Sequence, residues 1–322
     1  MAPETAGEPM SGQTWVRSSL RQVSTTLRAV GHAVSPPTVG RLLEDLGFAL
    51  QVNAKKREAG ANHPDRNAQF EHIADQRARF AAVGWPIISV DTKKTELIGN
   101  FKNAGRVWGR EPEAVNVHDF PSEALGRAVP YGIYDLTHNR GTVYVGSSAD
   151  TPQFAVDVLV RWWDTVGCLA YPHAKQLLIL ADGGGSNGYR PRRWKQQLQE
   201  QLCDRLGLTV TVCHYPRGCS KWNPIEHRLF GPISLNWAGH PLRTWETMLA
   251  ALRGTTTTTG LEVTASRHET VYQTGQRVSA AEMQTLNLTP HDCCPAWNYT
   301  IRPRPGPVPL VRSDAPNREL IA

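Results

Sequence analysis

At 322 residues the chain exceeds one ordinary core, since a domain holds roughly 100–200 residues, and two domains are expected. A hydrophobic share of 40% with 20% charged residues excludes a wholly disordered chain, and no apolar run approaches the roughly 20 residues that cross a bilayer. Lys and Arg number 35 against 29 Asp and Glu, a net charge of +6 that suits a polyanionic partner.

Residues 1–13 have tail composition, with two acids, no Lys or Arg and no secretory signal, so a cytoplasmic protein is expected. Leu20, Val23, Leu27 and Val30 then recur at steps of three and four, which predicts one helical face. After Gly31 and His32, Ser35 is placed to cap a second helix whose first turn tolerates Pro36 and Pro37, with Val39, Leu42, Leu43 and Leu46 on its buried face and Gly47 as its stop. Residues 14–60 therefore read as an all-α helix-turn-helix region. Its second helix would offer Ser35, Pro37, Thr38 and Arg41 to a major groove, with Lys55, Lys56 and Arg57 placed for phosphates. An ordinary helical hairpin explains the same pattern.

Residues 61–84 read as a linker and a helix with Phe70, Ile73, Phe80 and Val83 on one side. From 85 to 240 a second pattern takes over. Pro86 to Asp91 is a β-branched run ending in an acid, and Glu96 to Lys102 is expected to return beside it as a hairpin. Further strands are expected at Tyr131–Leu136, Gly141–Gly146, Gln176–Ala181 and Leu208–His214, with helices at Thr151–Val166, Arg192–Leu206 and Asn223–Leu235. Three antiparallel strands followed by alternating helices and strands predict an α/β fold, a ribonuclease H-like mixed five-stranded sheet with helices on both faces. Residues 241–301 read as an accessory part, with a helix near Leu242–Leu252 and strands near Leu261–Ala265 and Glu269–Tyr272, and 302–322 as a Pro-rich tail.

The six cysteines form no CxxC pair and read as reduced thiols; Cys213, His214 and Cys219 are a zinc alternative whose spacing is unlike common ligand knuckles. Three acids stand where such a sheet would present them at one edge: Asp91 ends the first strand, Asp182 follows the fourth, and Glu226 lies in the helix after the fifth. Taken singly, each is as readily a turn or cap residue. Taken together they suit Mg²⁺ or Mn²⁺, hard cations that take oxygen ligands and, in pairs roughly 3.5–4 Å apart, act on phosphodiesters. Asp119 and Asp135 compete for the same role. Between Gly183 and Arg228 stand eight basic residues (Arg190, Arg192, Arg193, Lys195, Arg205, Arg217, Lys221 and Arg228) against three acids. Of these, Arg192, Arg193, Lys195, Arg217 and Lys221 flank the last two acids and are candidates for phosphate contacts, with Trp222 a candidate stacking platform; a solvated helix face and core packing are the plainer explanations.

The segments ISVDTKKTELIGNFKNAGR (88–106), VHDFPSEALGRAVPYGIYDL (117–136), LILADGGGSNGYRPRRWK (178–195), VCHYPRGCSKWNPIEHRLF (212–230) and WNYTIRP (297–303) closely resemble the ISAzo family of insertion-sequence transposases. The resemblance runs from about Ser18 to Pro303. It implies that Asp91, Asp182 and Glu226 are DDE metal ligands for two Mg²⁺ ions, with Mn²⁺ able to substitute, in a ribonuclease H-like core. It further implies that the His63–Arg66 segment links to the DNA-binding region and that Leu20–Leu46 belongs to a terminal-repeat-binding region. The expected activity is DNA transposition at inverted repeats, by a homo-oligomer on DNA, nucleoid-associated and away from membranes. Family members carry more helical sequence ahead of the segment near Ser18, so the chain reads as shortened at its N-terminus. Two other readings stand beside this one: a catalytically silent DNA-binding remnant acting as a repressor, and a ribonuclease H-like nuclease that cuts without joining.

Overall fold

The computed structural model describes residues 5–7, 14–16, 19–48, 63–106 and 111–306. The chain divides into two units, Met1–Arg57 and Glu58–Ala322. In the first, strands β1 (Thr5–Gly7) and β2 (Thr14–Val16) pair antiparallel; β1 lies in the 1–13 segment read as a tail, and β2 opens the 14–60 region read as all-α, because antiparallel pairing gives each short segment the backbone partners it lacks alone. Helix α1 (Leu20–Ala29) opens on a capping box in which Ser19 and Gln22 satisfy each other's backbone ends. Helix α2 (Pro36–Asp45) follows, and its first-turn prolines remove N–H groups that would have no helical partner.

The Ser35 side chain accepts from the Thr38 N–H, and the two hydroxyls lie 2.9 Å apart. Both side chains are thus occupied in holding the helix start, while Arg41 is exposed. Ser35→Ala should lower the stability of this unit by about 1 kcal/mol, read as a fall in helical signal on thermal melting; an unchanged melt would show that the cap does not hold α2. The buried face is narrower than the periodicity implied. Val23 and Val39 are buried, but Val30, Leu42 and Leu46 are exposed, because two helices cover only one stripe of each other. Lys55, Lys56 and Arg57 lie outside the described residues.

The second unit is built on helix α3 (Arg66–Ala82) and a sheet of strands β3 (Ile87–Thr92), β4 (Glu96–Ile98), β5 (Gly126–Asp135), β6 (Arg140–Gly146), β7 (Gln176–Ala181), β8 (Thr209–His214), β9 (Glu262–His268), β10 (Leu288–Pro290) and β11 (Asn298–Ile301). The order is β10-β11-β8-β7-β3-β5-β6-β9, with β4 paired to the start of β5. Within it lies the expected five-stranded mixed sheet: β3 with β5 and β5 with β6 pair antiparallel, while β3 with β7 and β7 with β8 pair parallel. The expected hairpin between the first two strands does not form. Strand β3 pairs with β5 and β7 instead, since a strand with apolar residues on both faces gains more from a central position than from an edge.

The region expected to be accessory completes the sheet. Strand β9 adds parallel to β6, and β11 adds antiparallel to β8, so both edges of the five-stranded core are covered. A single strand, β9, spans 262–268 where two shorter ones were expected, and 269–272 is not a strand.

Residues alternate between the two sheet faces. Leu177, Ile179 and Ala181 join Ile88 and Val90 beneath helices α4 (Pro152–Trp162) and α6 (Arg192–Gln197), while Leu178 and Leu180 join Ile87 and Cys213 beneath Ile73 and Phe80 of α3. Helix α4 winds on through a π-turn at Trp163–Gly167 into the short α5 (Cys168–Ala170), and α6 continues through a second at Leu198–Asp204. The opposite face carries α7 (Gly231–Asn236) and α8 (Trp245–Arg253), packed through Ile233, Met248 and Leu252. A short helix α9 (Ala280–Gln284) precedes β10. No helix among the described residues is long and apolar enough to cross a membrane.

Candidate active site

The parallel pairing of β3 and β7 sets the site. Val90 pairs with Ala181, so Asp91 and Asp182, each the next residue, emerge side by side at the carboxyl ends of neighbouring strands. Glu226 arrives from outside the sheet as the first residue of a π-wound turn, Glu226–Phe230, that leads into α7. Such turns insert a residue and re-aim the side chains around them.

This third segment is pinned to β3 by polar side chains that sequence reasoning passed over. Ser89 donates to Asn223 Oδ1 and accepts from the Ile225 N–H at 3.0 Å, while Asn223 Nδ2 and Asn187 Nδ2 both point to the Val90 carbonyl. Ser89, Asn187 and Asn223 are fully or nearly fully buried. Asn223 precedes Pro224 and Glu226, and that Asn-Pro step was the available signal that the segment is a fixed turn.

The sheet also leaves room for this turn to approach. Gly132 stands opposite Asp91 on β5, and a Cβ there would lie 2.6 Å from the Phe230 ring and 2.9 Å from Ile225. Gly141 on β6 does the same for Leu229, at 2.3 Å. Two missing side chains admit the segment that carries Glu226.

Neighbouring carboxylates act on Asp91 and Asp182. Burial, then the charge of Asp182, then the Glu226 carboxylate push the Asp91 carboxyl well above its ordinary range, against a Thr92 N–H that donates to Asp91 Oδ1 at 2.8 Å. Burial raises Asp182 to about 6, with Glu226 adding to it and an Asn223 hydrogen bond opposing it. Asp182 Oδ1 is buried and accepts no hydrogen bond. Like charges held together at a sheet edge, with one oxygen unsatisfied, are a donor set suited to a hard divalent cation. Among the described residues, no three His, Cys, Asp or Glu side chains are gathered closely enough to form a ready-made metal cluster.

Two further groups border the acids. Asp150 is a fourth carboxylate, raised by burial and receiving the Thr92 hydroxyl at 3.2 Å. Lys93 lies 4.9 Å from the Trp237 ring, and burial lowers its pKa while Glu96 and Glu226 oppose that shift. Asp150 sits in a Ser-Ser-Ala-Asp loop with no sequence mark to set it apart from a cap residue.

The competing acids separate cleanly. Asp135 pairs with Ile88 near the far end of β3 and is held by the Thr137 N–H, His138 and the Tyr171 hydroxyl. Asp119 lies exposed in the loop before β5. The zinc alternative fails on geometry, because Cys213 faces the α3 side while both ring nitrogens of His214 lie against the carbonyls of Trp297 and Asn187.

Beside Asp182 opens a cleft of about 460 Å³, walled by Gly183, Gly184, Gly185, Arg190, Pro191 and the Pro216–Ser220 turn. Of the basic residues expected to flank the acids, Arg217 lines this cleft, whereas Arg192 and Arg193 line another, of about 430 Å³, with Asp150 and residues 273–278. Lys195 is half-buried, its ammonium 5.0 Å from the Tyr299 ring, so it is no exposed phosphate ligand. Trp222 is exposed, with its edge to Phe70 and the Lys221 ammonium 5.7 Å from its ring, so core packing does not explain it. His227 is tied to the Lys221 carbonyl.

Comparison with curated proteins gives no match. Solved structures of the Mos1 transposase align over 71% of the chain. The strand transfer complex is 13% identical with a TM-score of 0.43, and the paired-end complex with Mg is 14% identical with a TM-score of 0.43. The paired-end complex with the left transposon end is 13% identical with a TM-score of 0.40. The chain spans about 64% of the length of the Mos1 chains it matches. The family model described as Rhodopirellula transposase DDE domain (ISAZ013) matches residues 1–303. With nearly its whole length inside that match, the chain belongs to this DDE transposase family.

Proposed function

We propose that the chain is a DNA transposase that cleaves DNA at insertion-sequence ends and joins the freed 3′ end to target DNA. What supports this reading is that Asp91 and Asp182 stand side by side at the carboxyl ends of neighbouring parallel strands and that the charge of Glu226, from a third segment, acts on both.

In this reading Asp91 and Asp182 hold two divalent ions, Mg²⁺ or Mn²⁺, and Glu226 completes one of the two sites. When bound, the ions lower the pKa of water or of a 3′-hydroxyl and neutralise charge on the phosphodiester. The chain's own part is positional. Ser89 and Asn223 hold the Glu226 turn against β3, and the Thr92 N–H orients the Asp91 carboxylate. Residues 14–60 supply end recognition through α2, with Arg41, Lys55 and Lys56 toward DNA, and residues 85–301 form the catalytic unit. The partners are terminal repeats and target DNA, engaged by more than one copy of the chain at the nucleoid.

Incubation of the chain with labelled DNA carrying the element's own terminal repeats, in Mg²⁺ or Mn²⁺ and in EDTA, tests the reading. The expected result is metal-dependent appearance of label in target DNA. Cleavage without joining would point to a nuclease, and repeat binding without cleavage to a repressor-like remnant.

A further inference from the structure

Most of the basic residues around the acids are engaged within the protein. Arg192 Nη1 donates to the Val278 carbonyl at 3.2 Å, Arg193 Nη1 donates to Gln196 at 2.8 Å, and Lys195 is half-buried against Tyr299. Arg190 and Arg217 differ. They come from two separate segments that line the cleft beside Asp182, both are exposed, and neither forms an ion pair among the described residues.

A single aromatic ring gathers them. Arg190 lies 5.6 Å from the centroid of Tyr189 and donates to its hydroxyl at 3.3 Å, and Arg217 lies 6.0 Å from the same centroid. Two cations drawn to one ring without a carboxylate partner repel each other, and an anion between them relieves that repulsion. The floor of the cleft is open as well, since a Cβ on Gly184 would meet nothing within 4 Å. A backbone phosphate therefore has room to approach the main chain next to Asp182.

We propose that Arg190 and Arg217, set around Tyr189, form the seat for DNA backbone phosphates next to the one being cleaved. This rests on the transposase reading and adds to it which residues hold the strand. Guanidinium groups suit the task, because their planar fork matches phosphate oxygens and they remain charged at every working pH.

The test is duplex binding by fluorescence anisotropy, in EDTA so that no cleavage occurs, across a series of salt concentrations. Arg190→Ala and Arg217→Ala are each expected to reduce the slope of log K against log salt by about 0.9, which is roughly a tenfold loss of affinity at 0.1 M salt. Arg190→Lys, which keeps the charge, should retain the slope, and Arg140→Ala, whose guanidinium is paired with Glu262, should leave it unchanged. Thermal melting verifies that each variant is folded. Slopes unchanged in both cleft variants would overturn this seat while leaving the transposase reading intact; failure of the unmodified chain to bind any duplex would overturn both.

Discussion

Asp182→Asn should abolish metal-dependent strand cleavage, by at least about 1,000-fold, while making the metal-free protein more stable at neutral pH. The two effects have one cause. Asp182 sits in the folded chain with its pKa raised from 3.8 to about 6, mainly by burial, so between those two pH values the folded state holds a proton that the unfolded state has released. Stability is therefore fullest below pH 4 and declines as the pH rises toward 6, and at pH 7 the whole penalty is present. For this one carboxyl the penalty is at most about 3 kcal/mol.

Asparagine removes the charge and keeps the shape, so the variant's melting temperature should fall less than that of the unmodified protein between pH 4.5 and pH 7.5. Asp91, raised by burial and by the charges of Asp182 and Glu226, should behave alike as Asn. Cleavage that survives in Asp182→Asn, together with a melting temperature below that of the unmodified protein at pH 7.5, would remove Asp182 from the proposed site.

The second large effect is expected at a residue with no side chain. Gly132→Ala places a methyl 2.6 Å from the Phe230 ring and 2.9 Å from Ile225, the residue next to Glu226, so the π-wound turn must retreat from the sheet. Overpacking of this kind costs about 1–3 kcal/mol. A retreat of about 1 Å by a group that must meet two others costs on the order of 100-fold in rate. Cleavage by Gly132→Ala should therefore fall by roughly that factor in protein that is still folded.

Gly141→Ala is the comparison. It meets Leu229 at 2.3 Å on the same turn but three residues beyond Glu226, so it should lose stability to a similar degree with a smaller loss of rate. Equal rate losses in the two variants would show that Glu226 is not set by its distance from Gly132.

Much of this could be read from the chain in one dimension. Apolar runs such as 176–181, with both faces hydrophobic, announce central parallel strands because helices cover them on either side. The acids Asp91 and Asp182 were legible for a related reason: they are the first charged residues at the ends of such runs, and a chain leaving a sheet places its next residue at the edge. Ser35, Pro36 and Pro37 likewise mark the start of α2, because caps and first-turn prolines act over three residues.

What the sequence by itself determined is thus the set of elements whose causes are local: helix caps, strand runs and the acids that end them. Tertiary structure alone decided which strand lies beside which, that β3 leaves its sequence neighbour β4 for β5 and β7, and that β9 and β11 close the sheet's edges. It alone set Asp135 at the far end from Asp91, brought Asp150 to Thr92, and used the empty positions at Gly132 and Gly141 to admit the turn bearing Glu226. Those outcomes depend on burial and close approach between residues 40 to more than 130 positions apart, and no local pattern records the free energy of such contacts.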